Sequence, residues 1–406
     1  MTSEALLREA EAIQDHVLRE RRTLHQCPGT GFDIGDTLAF VRQELTDMGL
    51  QPVECGRAGL VALVGGKRPG KVFLLRADMD ALPIREEADV DFASQNGRMH
   101  ACGHDLHTAM LLGAARLLKA HENEIDGTVK LMFQPAEEPL QGAQDMVDAG
   151  VLENPHVDAA LMFHVMTGQT IPVGTVIISA PGISAPAAGM FTIRVQGKGS
   201  HGAMPNTGVD PINAAAHIVL ALQEINAREL ALSESAALTI GMLQAGNTAN
   251  VIPDVAVLRG NYRTFSDETM DLLRRRIVEI SQGVAGVFRA SAEVSFDSGC
   301  PTLINDAALS ARVEGYLSEL LAPGQVFNAA KIAGSSVSRS SGSEDFANLS
   351  HRVPTLMMAL AAGHPDQGHH QPLHNPKATF DERALVPGSA SFAYLAMRYL
   401  EDEAKR

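Results

Sequence analysis

An α/β fold carrying an inserted α+β domain is what this sequence predicts, and three observations predict it. Short apolar runs alternate with stretches of helical periodicity from Leu60 to Ser179 and again after Cys300, the pattern of a mixed, largely parallel sheet flanked by helices. Between those regions the order becomes strand, helix, strand, strand, helix, strand, that of a ferredoxin-like module. The chain has 406 residues, 45% of them hydrophobic, and can bury more than one core. The expected organisation is a larger domain in two parts, 1–185 and 300–406, with the insert at 186–299.

Each element follows from its residues. Met1 to Arg22 sets Leu6, Leu7, Ile13 and Val17 at helical spacing among charges, which predicts an amphipathic helix and not a signal peptide. Cys27-Pro28-Gly29-Thr30-Gly31 reads as a turn, and Asp36 as the cap of a second helix ending at Gly49. Strands are expected at 60–64, 72–75, 128–133, 159–163 and 173–179, with helices at 104–120 and 142–149. The insert should hold strands at 190–195, 237–243, 254–265 and 290–296 and helices at 211–228 and 267–282. A helix at 307–321, a strand at 355–360 and a helix at 386–404 complete the chain.

Composition excludes several functions. A formal charge of −15 repels phosphate backbones and anionic lipid, and no basic, aromatic-interleaved patch offsets it. Nucleic acid and membrane are therefore not expected partners. No apolar run is long enough to span a bilayer. Four scattered cysteines and no export signal lead to the expectation of a reducing cytoplasm.

The densest chemistry lies in Met99-His100-Ala101-Cys102-Gly103-His104-Asp105-Leu106-His107. Gly103 lets the backbone bend so that Cys102 and His104 converge, as a metal site requires. A lone Cys-x-His is equally at home in a packed core, so the other ligands decide. The cysteines form no paired Cys-x-x-Cys, and any metal must be gathered from across the fold, the usual arrangement where it does chemistry. In open α/β sheets ligands bind beyond the carboxyl ends of strands. Asp78 and Asp80 follow one expected strand, Glu137 and Glu138 the next, and His164 closes a third. On extended backbone Glu137 and Glu138 would point opposite ways, one to a metal and one to water; a solvated pair is the plainer reading.

Two further motifs are ambiguous. Gly197-Lys198-Gly199-Ser200-His201-Gly202 has the dinucleotide spacing, but Pro205 and Pro211 keep a helix from opening inside it, so a nucleotide site is rejected. His201 there is either a surface histidine or an anion donor, and Asn250 and Arg263 either surface groups or partners for a substrate carboxylate. In the histidine-rich run 364–376, His374 is the one whose orientation the chain restricts most, between Leu373 and Asn375-Pro376.

Taken together, Arg76-Ala-Asp-Met-Asp-Ala-Leu-Pro83, the Met99–His107 stretch, Phe133-Gln-Pro-Ala-Glu-Glu138, Phe163-His164, Gly197–Gly202, Asn250-Val-Ile-Pro-Asp254, Gly342-Ser-Glu-Asp-Phe346 and Leu373-His-Asn-Pro376 resemble the M20 metallopeptidases. Within them they resemble the amidohydrolase branch of hippurate, N-acyl-amino-acid and auxin-conjugate hydrolases. The resemblance implies a dinuclear catalytic domain and a smaller lid that dimerises, giving a homodimer or higher homo-oligomer. It implies two divalent ions, zinc or manganese with cobalt or nickel possible, held by Cys102, His104, Glu138, His164 and His374, the Cys102 thiolate bridging them. It gives Glu137 as general base and His201 as an oxyanion donor reaching into a neighbouring subunit. Asn250 and Arg263 would bind substrate, and Asp80 would orient a ligand from behind.

The implied reaction is hydrolysis of small N-acyl-L-amino acids to a carboxylic acid and a free amino acid. The rivals are a carboxypeptidase or dipeptidase, an N-acetyl-diaminopimelate-type deacetylase, and a metal-binding module without turnover. The sequence departs from the family at Pro28-Gly29, where Pro-Glu is usual, at 32–35 and at 377–380.

Overall fold

The computed structural model describes residues 2–331 and 342–406. They fall into two compact units, one comprising the described residues before Ala185 and from Ile304 on, except 342–347, and the other Ala185–Leu303 with 342–347.

The first unit is built on an eight-stranded sheet. Across it the strands are Val53–Cys55, Gly59–Gly65, Thr128–Gln134, Val72–Asp78, Ala159–Met166, Thr355–Ala361, Val176–Ile178 and Val326–Asn328. Val72–Asp78 runs parallel to both neighbours, and Thr355–Ala361 parallel to Ala159–Met166, so four adjacent strands point their carboxyl ends to one edge. Sequence shows why Val72–Asp78 is central: its run Val-Phe-Leu-Leu-Arg-Ala-Asp has no polar alternation, and every residue is buried. Helices His104–Ala120 and Leu385–Ala404 pack on each other and on that strand, and His104–Ala120 is buried nearly all round.

The helix expected over 1–22 is instead two, Ser3–Ala12 and Gln14–Gln26, broken at Ile13. Ile13 O accepts from both His16 N and Val17 N, a local tightening that needs no proline or glycine. Asp36 is not a cap: the helix runs Gly35–Asp47, and Asp36 sits in its first turn, where an acid still favours the dipole.

Where Gln14–Gln26, Gly35–Asp47 and His104–Ala120 meet, Arg116 Nη2 donates to Glu20 Oε1 at 2.6 Å and to Glu44, with His16 Nε2 3.3 Å from Glu20. Burial pushes the Glu20 carboxyl up to about 8 against the pull of Arg116. A raised folded value means that this stabilisation is complete below about pH 4.5 and is lost as pH climbs to about 8. Glu20→Gln, which cannot ionise, should therefore gain on wild type in melting temperature from pH 5 to pH 9. A gap between the two that stays constant over that range would mean that Arg116, not burial, governs Glu20.

The second unit is a four-stranded antiparallel sheet in the order Ala236–Ala245, Val255–Thr264, Ala187–Gln196, Ser291–Cys300. Helices Pro211–Glu224 and Asp267–Val287 pack together and against it. Both start where the sequence supplies a cap: Asp210 accepts from Ile212 N and Asn213 N, and Ser266 accepts from Thr269 N. The glycine-rich motif does not open a helix; Ser200–His201 within it pairs with Val251–Ile252 as a short ribbon. No helix among the described residues is long and apolar enough to cross a membrane.

Candidate metal centre

The parallel register brings three segments to one edge of the first unit. Asp78 ends its strand and Asp80 follows it, Glu137 and Glu138 follow Thr128–Gln134, and His164 lies inside Ala159–Met166, two residues before its end. Across this edge comes the start of helix His104–Ala120. Gly103 precedes it at φ +85°, a left-handed conformation that glycine adopts freely. A Cβ there would also lie 2.4 Å from Val165 Cγ2.

Six of the side chains singled out from sequence converge here. Cys102 Sγ is 3.5 Å from His164 Nε2 and 3.2 Å from His374 Nε2. His374 Nε2 is 3.5 Å from Glu138 Oε1. His104 Nε2 is 3.9 Å from Glu137 Oε2 and 4.0 Å from Glu138 Oε1. His374 reaches this point from far along the chain because its backbone N–H donates to Ala101 O at 2.9 Å, at a left-handed φ of +64°.

The glutamates are not on extended backbone. They sit in a turn whose flanking Ala136 and Leu140 have φ of +53° and +55°, and both carboxylates face His104. Non-glycine residues held there carry strain of about 1–3 kcal/mol each, typical of functional sites. Asp80 holds the turn from behind, Oδ1 accepting from Glu137 N at 2.9 Å and Oδ2 from Glu138 N at 3.2 Å.

The histidine tautomers are set by what the other nitrogen touches. His104 Nδ1 donates to Asp80 O at 2.8 Å and His164 Nδ1 to Val165 O at 2.7 Å, so each turns the Nε2 lone pair inward. His104 Nε2 and Glu138 Oε1 are buried with no hydrogen-bond partner. Burial pushes the Cys102 thiol up, Glu138 up to about 7 and His164 down to about 3. For His104 burial acts downward, but Asp78 and Cys102 outweigh it and raise the imidazole above its ordinary range. Buried polar atoms of His104 and Glu138 without partners, in a place where burial disfavours thiolate and carboxylate, fit divalent cations, which would compensate those charges and take the place of the His104 Nε2 proton.

Sequence reasoning placed Asp78 at a strand end and Asp105 and His107 in the densest stretch without assigning any of them a particular role, and it passed over His25. His107 Nε2 accepts from Val165 N at 2.8 Å, so its Nδ1 carries the proton donated to Asp78 Oδ1 at 2.6 Å. It thus ties the strand bearing His164 to the strand before Asp80. The spacing of His104 and His107, three apart on one helix face, was the available signal. Behind the site, His25 Nδ1 is 2.8 Å from Asp105 Oδ2 and Nε2 is 2.9 Å from Glu86 Oε1. Nothing local announces that contact.

The remaining candidates lie in the second unit. His201 is exposed on the short ribbon, its Nδ1 accepting from Ala203 N, and Gly202 N donates to Asn250 O at 2.8 Å, which sets His201 and Asn250 side by side. Arg263, which donates to Ser343 Oγ at 2.7 Å, lies at the far end of Val255–Thr264 from that ribbon. At ~3.3 Å per residue the strand itself keeps them apart.

A cluster of thiol, imidazole and carboxylate donors at the carboxyl edge of a parallel sheet, buried at Cys102 and His104 and open at His374, is the arrangement of the metal-dependent hydrolases. A profile of peptidase family M20/M25/M40 matches residues 74–398. The N-acetyl-L-cysteine deacetylase of Bacillus subtilis is 35% identical over 96% of this chain and 89% of its own length. The IAA-amino acid hydrolase ILR1-like 2 of Arabidopsis thaliana is 34% identical over 97% of this chain and 87% of its own. The crystal structure of a Bacillus subtilis protein described as a dinuclear metal binding peptidase from the M20 family superposes with a TM-score of 0.75 at 32% identity, covering 96% of this chain and 99% of that one. The chain belongs to the peptidase family M20/M25/M40 and is a metal-dependent amidohydrolase. Its fold implies divalent metal ions.

Proposed function

We propose that this enzyme hydrolyses the amide bond of small N-acyl-L-amino acids, releasing a carboxylic acid and the free amino acid. The convergence of Cys102, His104, Glu138, His164 and His374, with the Nδ1 atoms of His104 and His164 already engaged, supports these five as holders of two cations. A thiolate among the donors favours zinc, while imidazole and carboxylate also suit manganese, cobalt or nickel. When bound, the cations lower the pKa of water and polarise the amide carbonyl.

The chain's own residues do the rest. Glu137 takes a proton from the attacking water and gives it to the leaving nitrogen as the C–N bond breaks. Asp80 keeps Glu137 and Glu138 in place through their backbone N–H groups. Arg263 pairs with the substrate carboxylate, and Asn250, set beside His201, reaches the amide from the neighbouring subunit with it. The second unit serves as lid and dimerisation domain, and His201 donates to the developing oxyanion from a neighbouring subunit.

The names of two relatives support the substrate class, one an N-acetyl-L-cysteine deacetylase and one an IAA-amino acid hydrolase, while thermostable carboxypeptidases of Saccharolobus solfataricus at 33% identity keep the peptidase rival in play. The test is release of free amino acid from a panel of N-acetyl, N-benzoyl and longer N-acyl L-amino acids, run beside dipeptides, after loading with zinc or manganese. Turnover of an acyl-amino acid supports the reading; turnover of dipeptides alone replaces it with a peptidase.

For His201, loss of one oxyanion donor costs about 10²- to 10³-fold in kcat in other hydrolases. His201→Ala should fall in that range, and mixing it with Glu137→Gln subunits should restore activity, since one site of the mixed dimer then holds both intact groups. Wild-type turnover of His201→Ala would remove it from the mechanism. Inactivity of the mixture would return it to its own subunit.

A further inference from the structure

We infer that the turn at 28–34, which supplies no ligand, is a positioning element for the Glu137 carboxylate. The inference rests on Glu137 as the general base. The turn touches both segments that place this residue: Gly29 O accepts from Ala81 N at 2.7 Å, beside Asp80, and Gly31 O accepts from Ala136 N at 3.1 Å, beside Glu137. Asp80 closes the circuit by accepting from Glu137 N and Glu138 N. Three distant stretches, 29–31, 80–81 and 136–138, are thus joined by four hydrogen bonds, two between backbone groups and two to the Asp80 carboxylate, into one closed circuit that includes the backbone of the base.

That ring has work to do, because Ala136 and Leu140 are left-handed without being glycine, and a free loop would relax away from that conformation. Gly31 O holds the N–H of Ala136 itself. The turn is in turn fixed internally, Thr30 N donating to Asp33 O and Asp33 N to Thr30 O, and externally, Asn96 Nδ2 donating to Pro28 O at 3.0 Å. Its tightness requires glycine at position 29. A Cβ on Gly29 would lie 2.3 Å from Asp33 O and 2.6 Å from Ile34 Cα, both backbone atoms that no rotamer change can move aside. This chain's turn therefore admits glycine and excludes any residue with a Cβ, and it braces the base through the Gly29 and Gly31 carbonyls.

Gly29→Ala tests this. Displacement of a catalytic group by about 1 Å costs up to about 10²-fold in rate. Gly29→Ala should lower kcat by roughly 10-fold or more with KM within about threefold, and with metal content unchanged. Adding Ala136→Gly, which accepts the left-handed conformation without strain, should recover part of that kcat. Mere loss of packing at position 29 would not respond to a change at position 136. Where Gly29→Ala does not fold, Asn96→Ala leaves the glycine in place and frees the Pro28 carbonyl; its kcat should fall in the same direction and respond to Ala136→Gly likewise.

Wild-type kcat in the folded variant, or a loss that Ala136→Gly leaves untouched, overturns the inference. Glu137→Gln in the same assay separates the two claims. If that variant turns over normally, the base assignment is wrong; if it is inactive while Gly29→Ala has wild-type kcat, only the positioning role fails.

Discussion

Glu137→Gln should lower kcat by about 10²- to 10⁴-fold, the usual share of a general base, while the protein keeps its full complement of metal. The amide has the shape of the carboxylate and can still accept a hydrogen bond, but it cannot take a proton from water. The geometry separates the two glutamates. Both lie about equally near His104 Nε2, at 3.9 Å and 4.0 Å, and could share a cation with it, but Glu138 also groups with Cys102 and His374, its Oε1 3.5 Å from His374 Nε2. Glu138→Gln should accordingly lose metal along with activity. Metal analysis and kcat on the pair decide the matter: if Glu137→Gln sheds metal and Glu138→Gln retains it, the roles are exchanged.

Arg21→Met should destabilise the first unit by about 3–5 kcal/mol, measured as the shift in urea unfolding, because it strips the partner from a buried charge. Arg21 and Asp105 are 2% and 0% exposed, with Arg21 Nε 2.8 Å from Asp105 Oδ2. Arg21 Nη1 also donates to Glu382 Oε1 at 3.0 Å, and its guanidinium lies over the Phe92 ring. Burial opposes ionisation of Asp105, but Arg21 and His25 outweigh it and hold the carboxyl well below the usual range. A depressed value gives stabilisation that is present above the unfolded pKa of about 3.9 and fades as pH falls below it. The deficit of Arg21→Met should thus be as large at pH 5 as at pH 8 and shrink only in stronger acid. A change under about 1 kcal/mol at neutral pH would show that His25 alone suffices for Asp105.

Much of the architecture was legible in local pattern. The run at 72–78 has no polar alternation because its strand is covered on both faces, whereas Ser291–Cys300 alternates in exposure along its length, as a strand in a sheet with one free face does. Asp210 with Pro211 and Ser266 with Asp267 announce helix starts because capping is settled within three or four residues. The same logic failed at Asp36 and at Ile13, where the helices start after Ile34 and Ile13, residues whose side chains make no cap.

For the site, sequence alone determined the chemistry on offer: a thiol, imidazoles and carboxylates placed after strands, with Gly103 to bend Cys102 toward His104. Side-chain type and short-range backbone preference are properties of a few neighbouring residues, so they can be read from the chain. Tertiary structure decided which of those groups meet and how they are held. It carried His374 to Cys102 through Ala101 O, turned Glu137 and Glu138 to the same side on a strained turn, and set His25 and Arg21 against Asp105. Each of those contacts joins residues remote in sequence, and their energy exists only after the chain has closed the loops between them. No local pattern encodes it.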